Sequence, residues 1–192
     1  MNNNERWTGA GEDLYDPSDR TLSTRRAYAL AGALAVPTLL LPLAVAGWRW
    51  GPALALHPVL LPERAALLAG ICLAGSWLHE ALHVLGWRSA ARIGGGAVRI
   101  GWSAGALAPC AILALPVPAR AYRWGVALPG LVSGLAPLIV GLACACPWLL
   151  WCGILLSVAS LGDALVLLRL RGVPASTSVR DHPTRAGCIV GG

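Results

Sequence analysis

Residues 76–87, SWLHEALHVLGW, set two imidazoles and a carboxylate inside an apolar run. On a helix His79 and His83 stand one turn apart on one face, so both can direct a ring nitrogen at one ion. Glu80 follows at about 100° around the axis. This is the HExxH arrangement, in which two imidazoles hold Zn²⁺ and the glutamate works as acid/base on the water the metal activates. Such a site needs a third protein ligand and keeps a fourth position open. Within the apolar runs the only other acid or histidine is Asp163, in SVASLGDALVLLRL. An unpaired aspartate there would cost about 2.5 to 3.5 kcal/mol, so a partner is expected for it.

The elements that must carry these residues follow from composition. The 192-residue chain is 56% hydrophobic and 12% charged, with a mean hydropathy of +0.63. Soluble domains of this size rarely have that balance. Four runs approach the roughly 20 residues needed to cross a bilayer core: Ala27 to Gly47, Ala65 to Trp87, Trp124 to Cys144 and Trp148 to Leu170. Trp48, Trp50, Trp87, Trp124, Trp148 and Trp151 lie at or near their ends, where amphipathic rings favour the headgroup region. The first run exceeds the usual length of a signal-peptide core and follows a long, mixed-charge leader, so it is expected to be a span and not a cleaved signal.

The formal charge of +6 carries no lysine, and the placement of the arginines gives an orientation. Arg25 and Arg26 precede the first run; Arg88, Arg92, Arg99, Arg120 and Arg123 lie between the second and third; Arg169, Arg171, Arg180 and Arg185 follow the fourth. The opposite side receives Arg49 and Arg64. The positive-inside rule puts both termini and the middle segment in the cytoplasm. These arginines flank spans and form no stripe, which argues against a nucleic-acid partner.

Depth then relates the three candidate ligands. Counting about 1.5 Å per residue from the cytoplasmic marks Arg88 and Arg169, His83 lies roughly 7 Å, Asp163 roughly 9 Å and His79 roughly 13 Å inside. Ala159 and Ser160 are small enough to let the two helices approach. Asp181 and His182, after the last run, are the alternative third ligands; His57, beside Pro58, reads as an ordinary loop histidine.

The segment 88–123 is the irregular part. Gly94 to Gly96 end the second helix, and AVRIGW has the composition of a short strand. Ala104 to Val117 is too short to span and is interrupted by Pro109 and Pro116, which suits a re-entrant or interfacial element. In the third run Gly130, Gly134 and Gly141 share a face, with Pro129 and Pro137 nearby, as in close helix packing with a kink. Cys144, Cys146 and Cys152 cluster near the outer ends of runs three and four, either as buried apolar groups or as a disulfide pair.

Over roughly residues 65–190 the chain resembles the zincin-like membrane peptidases, a group related in pattern to the site-2 intramembrane metalloproteases. The resemblance rests on HEALH late in one span, on AVRIGWSAGALAPCAILALPVPARAYR followed by ALPGLVSGLAP, on SLGDALVLLRL and on VRDHPTRAGC. It implies that His79 and His83 are zinc ligands, that Glu80 is the catalytic acid/base and that Asp163 completes the site. Site-2 proteases commonly place the acidic ligand just before a glycine, whereas here Gly162 precedes Asp163.

The expectation is an all-α membrane protein of about four transmembrane helices with a strand-like or re-entrant segment between the second and third. Residues 1–26 would be a flexible cytoplasmic tail, 27–171 the membrane-embedded metallopeptidase domain in the cell membrane, and 172–192 a second cytoplasmic tail. The expected function is zinc-dependent hydrolysis of peptide bonds in membrane or membrane-proximal proteins. The alternatives are an inactive relative serving as a membrane interaction or regulatory protein, or another membrane metalloprotein. Four histidines are too few for a di-iron lipid enzyme, and no string of polar groups marks a transport path.

Overall fold

In the computed structural model residues 18–103, 108–182 and 187–191 are described. The first helix, α1 (Thr24–Trp50), keeps its course through Pro37 and Pro42 and exposes most of its apolar side chains. A short turn of helix, α2 (Pro52–Ala55), and the segment His57–Val59 lead to α3 (Pro62–Ala91), which carries HEALH. A hairpin follows, β1 (Val98–Ser103) antiparallel to β2 (Ala108–Leu113), then the two-residue strand β3 (Val117–Pro118).

The next helix is continuous from Ala119 to Ala143. It begins as α4 (Ala119–Pro129), widens to a π-helical stretch over Gly130–Leu135 and ends as α5 (Ala136–Ala143). The kink expected beside Pro129 therefore takes the form of a π turn, a feature common at functional sites. After a tight turn, α6 (Pro147–Ala159) and α7 (Leu161–Arg169) run on with a 43° bend at Ser160. Strands β4 (Ser178–Asp181) and β5 (Cys188–Val190) close the chain, in the order β3-β4-β5.

Three helices, Arg25–Trp50, Pro62–Ala91 and Ala119–Ala143, are long and apolar enough to cross a membrane, and the bent pair α6–α7 passes the same test when taken together. Their surfaces agree with that reading. Leu41 is 66% exposed, Leu73 59% and Ile139 54%, and many other large apolar side chains share their outward position. Water would penalise so large an apolar surface; lipid does not.

Two cores hold the bundle. One, near the α1–α2 turn, joins Ala46, Ala55, Leu150 and Ile154, and Trp151 Nε1 donates to the Ala55 carbonyl at 2.9 Å. The other gathers Trp87, Leu113, Val117, Tyr122, Val126, Leu170, Val179 and Cys188, so it lies where hairpin, small sheet and helices meet. The glycine face expected on the third run packs on α6. A Cβ on Gly130 would lie 3.3 Å from Ser160 Cβ, one on Gly134 2.8 Å from Ser157 Oγ, and one on Gly141 would strike the Leu150 backbone.

Within the segment 88–123, a hairpin and a strand lie between the end of α3 and the start of α4, and the strand expected in AVRIGW is β1. Of Ala104 to Val117, residues 104–107 lie outside the described residues and Ala108–Leu113 is the second hairpin strand. Residues 1–17 of the expected N-terminal tail also lie outside them. The part that is described runs along β5: Arg20 N–H donates to the Cys188 carbonyl at 2.9 Å and Val190 N–H to the Ser18 carbonyl at 2.8 Å.

Candidate metal centre

Helices α3 and α6–α7 run side by side in the same direction, because Gly75 meets Leu156, His79 meets Ser160, and both histidines meet Asp163. The bend at Ser160 puts Asp163 in the first turn of α7, where the helix dipole favours a carboxylate. His79 and His83 are 7% and 6% exposed, so neither ring is hydrated enough to leave its nitrogens to water.

Both imidazoles present Nε2 to the same carboxylate. His79 Nε2 lies 3.1 Å from Asp163 Oδ2, and His83 Nε2 lies 3.5 Å from Asp163 Oδ1. His79, Glu80 and His83 form a cluster whose ligand-capable atoms all lie within 4.8 Å of one another. Two carboxylates thus adjoin the imidazole pair, and they differ in their own partners. Glu80 Oε2 accepts the Ala111 N–H of β2 at 2.6 Å, while Asp163 faces both Nε2 atoms.

The far nitrogens fix the tautomer. His83 Nδ1 is 2.9 Å from the Gly125 carbonyl, which can only accept, so this ring carries its proton on Nδ1. His79 Nδ1 faces the Ser133 and Ser160 hydroxyls, each at 3.5 Å. Both hydroxyls spend their own proton on a helical carbonyl, Ser133 on Pro129 and Ser160 on Leu156, at 2.8 Å each. They therefore turn acceptor oxygens to His79, and its proton belongs on Nδ1 as well. In the neutral rings both Nε2 lone pairs then point at an anion. A metal cation between them satisfies that arrangement, and imidazole pairs with outer nitrogens so tethered are the ordinary form of a zinc site. The donor set fits Zn²⁺: two neutral imidazoles and a carboxylate, already gathered on rigid elements.

A second layer holds this set. Trp87 stacks on His83 with ring centres 5.2 Å apart and donates Nε1–H to the Tyr122 carbonyl at 3.2 Å. Gly125 lets Trp87 in, since any Cβ there would overlap the indole, and Gly86 lies so close to Gly125 that a Cβ would be 2.7 Å from its Cα. Arg123 donates to the Leu170 carbonyl at 2.8 Å and also to the Val173 carbonyl, capping the end of α7 and fixing α7 to α4. Asp181 is committed elsewhere: Oδ1 accepts the Tyr122 hydroxyl at 2.5 Å and Oδ2 the Leu113 N–H at 2.6 Å.

The structure brings His79, Glu80, His83 and Asp163 together and leaves Asp181 tying β4 to β2 and α4. His57 lies edge-on to Trp148, with ring centres 6.5 Å apart. Sequence reasoning did not find the Gly125 carbonyl, the Ser133 and Ser160 acceptors or the Ala111 amide. Backbone groups have no signature in residue type, and in the sequence Ser160 stands out only for its small size.

Comparison with curated proteins gave no match, and comparison with solved structures gave none either. A family model described as "Putative zincin peptidase" matches residues 72–178, a segment that contains His79, Glu80, His83 and Asp163. Since that match covers more than half of its length, the chain belongs to this family.

Proposed function

We propose that the protein is a membrane-embedded zinc metallopeptidase in which His79, His83 and Asp163 hold the metal and Glu80 is the catalytic acid/base. The observation that carries this reading is the meeting of both histidine Nε2 atoms at Asp163, 3.1 and 3.5 Å away, while both Nδ1 atoms are engaged elsewhere. Zinc bound there supplies Lewis-acid polarisation of a carbonyl and lowers the pKa of its water to about 7.

The chain's own groups do the rest. Glu80, next in sequence to one ligand and within 4.8 Å of both histidine donors, takes a proton from water and returns it to the departing amine nitrogen. Its carboxylate is aimed by the Ala111 amide. The strand edge at the site belongs to β2, since Ala111 and Leu113 turn their N–H groups away from β1 toward Glu80 and Asp181. An extended peptide laid along that edge would bring its carbonyls past Glu80, and a helical substrate would have to unwind to do so.

A four-span topology is supported by the meeting of the chain's two ends. Residues 18–20 are hydrogen-bonded to β5, so the segment before α1 and the segment after α7 share one side, and the number of crossings between them is even. With three long helices, the bent pair α6–α7 is then the fourth crossing. Residues 27–171 form the embedded part, and the arginines flanking it assign both tails to the cytoplasm. The lipid bilayer and a membrane-associated protein or peptide substrate are the partners.

The test compares wild type with Glu80→Gln in detergent, measuring zinc content and cleavage of β-casein, an unfolded chain. Both proteins should hold one zinc, while the variant cleaves about 10²- to 10⁴-fold more slowly. Equal rates would remove Glu80 from the chemistry, and a zinc-free wild type would remove the site.

A further inference from the structure

Cys72 and Cys152 lie outside the metal centre and have no part in it. They occupy the rung before Gly75–Leu156 in the ladder that continues through His79–Ser160 to Asp163. Each rung advances by one turn on both helices, so residues about 80 apart in sequence stand opposite each other. The two thiols share a hydrogen bond across the α3–α6 contact. Gly75 is what allows the helices so close here: a Cβ on it would be 2.9 Å from Leu156 Cδ1. Both cysteines are free thiols, and both are partly buried, so an apolar reagent entering from the lipid can reach them.

We propose that Cys72 and Cys152 form a redox-active dithiol that closes to a disulfide between α3 and α6 by exchange with a low-molecular-weight disulfide. The first thiolate attacks the small disulfide, forms a mixed disulfide and releases one small thiol. The second attacks the protein sulfur of that intermediate and expels the other small thiol. Two cysteine thiols are oxidised to one disulfide, and the small disulfide is reduced to two thiols. Disulfides need their two backbones within a narrow distance range, and thiols on opposed helices in register, already in contact, need little movement. In the orientation proposed above the pair lies in the half of the bundle away from the cytoplasm, where an oxidising compartment favours closure. The bridge would clamp the helix of His79 to the one that leads to Asp163.

In the sequence Cys152 clusters with Cys144 and Cys146, and the fold separates them. Cys144 is exposed and Cys146 precedes α6, whereas Cys152 faces α3. Tryptic cleavage makes the distinction measurable, because residues 65–88 contain Cys72 as their one cysteine and residues 124–169 contain Cys144, Cys146 and Cys152.

The full-length protein in detergent is treated with dithiodipyridine, an apolar disulfide, and its peptides are mapped without reduction. The expected result is peptide 65–88 joined to peptide 124–169, with two thiopyridones released per bridge. The linkage should vanish in Cys152→Ser and persist in Cys144→Ser and Cys146→Ser. The bridged protein should unfold at a higher temperature, and dithiothreitol should reverse the shift. A stable pyridyl adduct on Cys72, or a linkage that survives Cys152→Ser, would overturn the proposal. Neither outcome depends on zinc or on cleavage, so the metal-centre reading stands or falls separately.

Discussion

Asp163 and Asp181 show how two acids of one chain are sorted by their neighbours. Asp163 faces two Nε2 lone pairs, while Asp181 is occupied by the Tyr122 hydroxyl and the Leu113 amide. Asp163→Ala should therefore lose stoichiometric zinc and Asp181→Ala should retain it, as read by metal analysis of the purified proteins. Zinc kept by the Asp163 variant and lost by the Asp181 variant would reverse the assignment. Beside these, Ser133→Ala with Ser160→Ala removes the acceptors facing His79 Nδ1 and should weaken zinc about 10- to 100-fold, measured by chelator competition. The HExxH spacing was readable from the sequence because it depends on residue type and helical period alone. The Gly125 carbonyl that fixes the His83 tautomer was not, because every residue has a carbonyl and only packing selects one.

At the scale of elements, α3 and α4 are held by an approach that glycine alone permits. Gly86 meets Gly125, and Trp87 occupies the space that a Gly125 side chain would fill. Gly125→Ala should push the indole off His83 and cost about 1 to 3 kcal/mol of stability, seen as a lowered unfolding temperature. Gly70→Ala is the control, since a Cβ there meets nothing within 4 Å and the substitution should be neutral to stabilising. A similar loss in both variants would show that the effect does not come from this contact. The apolar runs were legible from hydropathy, and each of the three helices long enough to cross a membrane is a few residues longer than the run that marked it. Thr24–Trp50 extends past Ala27 to Gly47 at both ends, because arginine and tryptophan remain helical in the headgroup region where hydropathy already falls.

For the molecule as a whole, the small sheet beneath the helices joins regions read from sequence as separate tails. Strand β4 pairs with β3, β5 with β4, and the N-terminal segment with β5. Asp181 connects that sheet to the hairpin, and burial pushes its carboxyl above the usual range, against the pull of its hydrogen bonds from Tyr122 and Leu113. A carboxyl raised on folding contributes stability that is complete below its unfolded pKa and is lost as pH rises through the folded value. Unfolding temperatures of wild type should therefore fall relative to Asp181→Asn as pH rises above about 4, the unfolded value of an aspartate. Parallel curves would show that burial of this carboxyl is not coupled to stability. Cys188 lies in the same sheet, fully buried, its thiol pushed up to about 12 by burial, and so is unreactive.

By itself the sequence determined that the chain is a bundle of apolar helices, that His79, Glu80 and His83 share one helical turn, and that Asp163 lies at their depth. These are consequences of hydropathy, the 3.6-residue period and a fixed rise per residue, all of which act locally along the chain. Tertiary structure alone decided which face of α7 meets α3, which strand edge lies against Glu80, and which acid stays free for the histidines. Those depend on the 43° bend at Ser160, on glycine contacts between helices and on backbone hydrogen bonds spanning tens of residues. No local pattern encodes them, because each is settled by packing between segments distant in sequence.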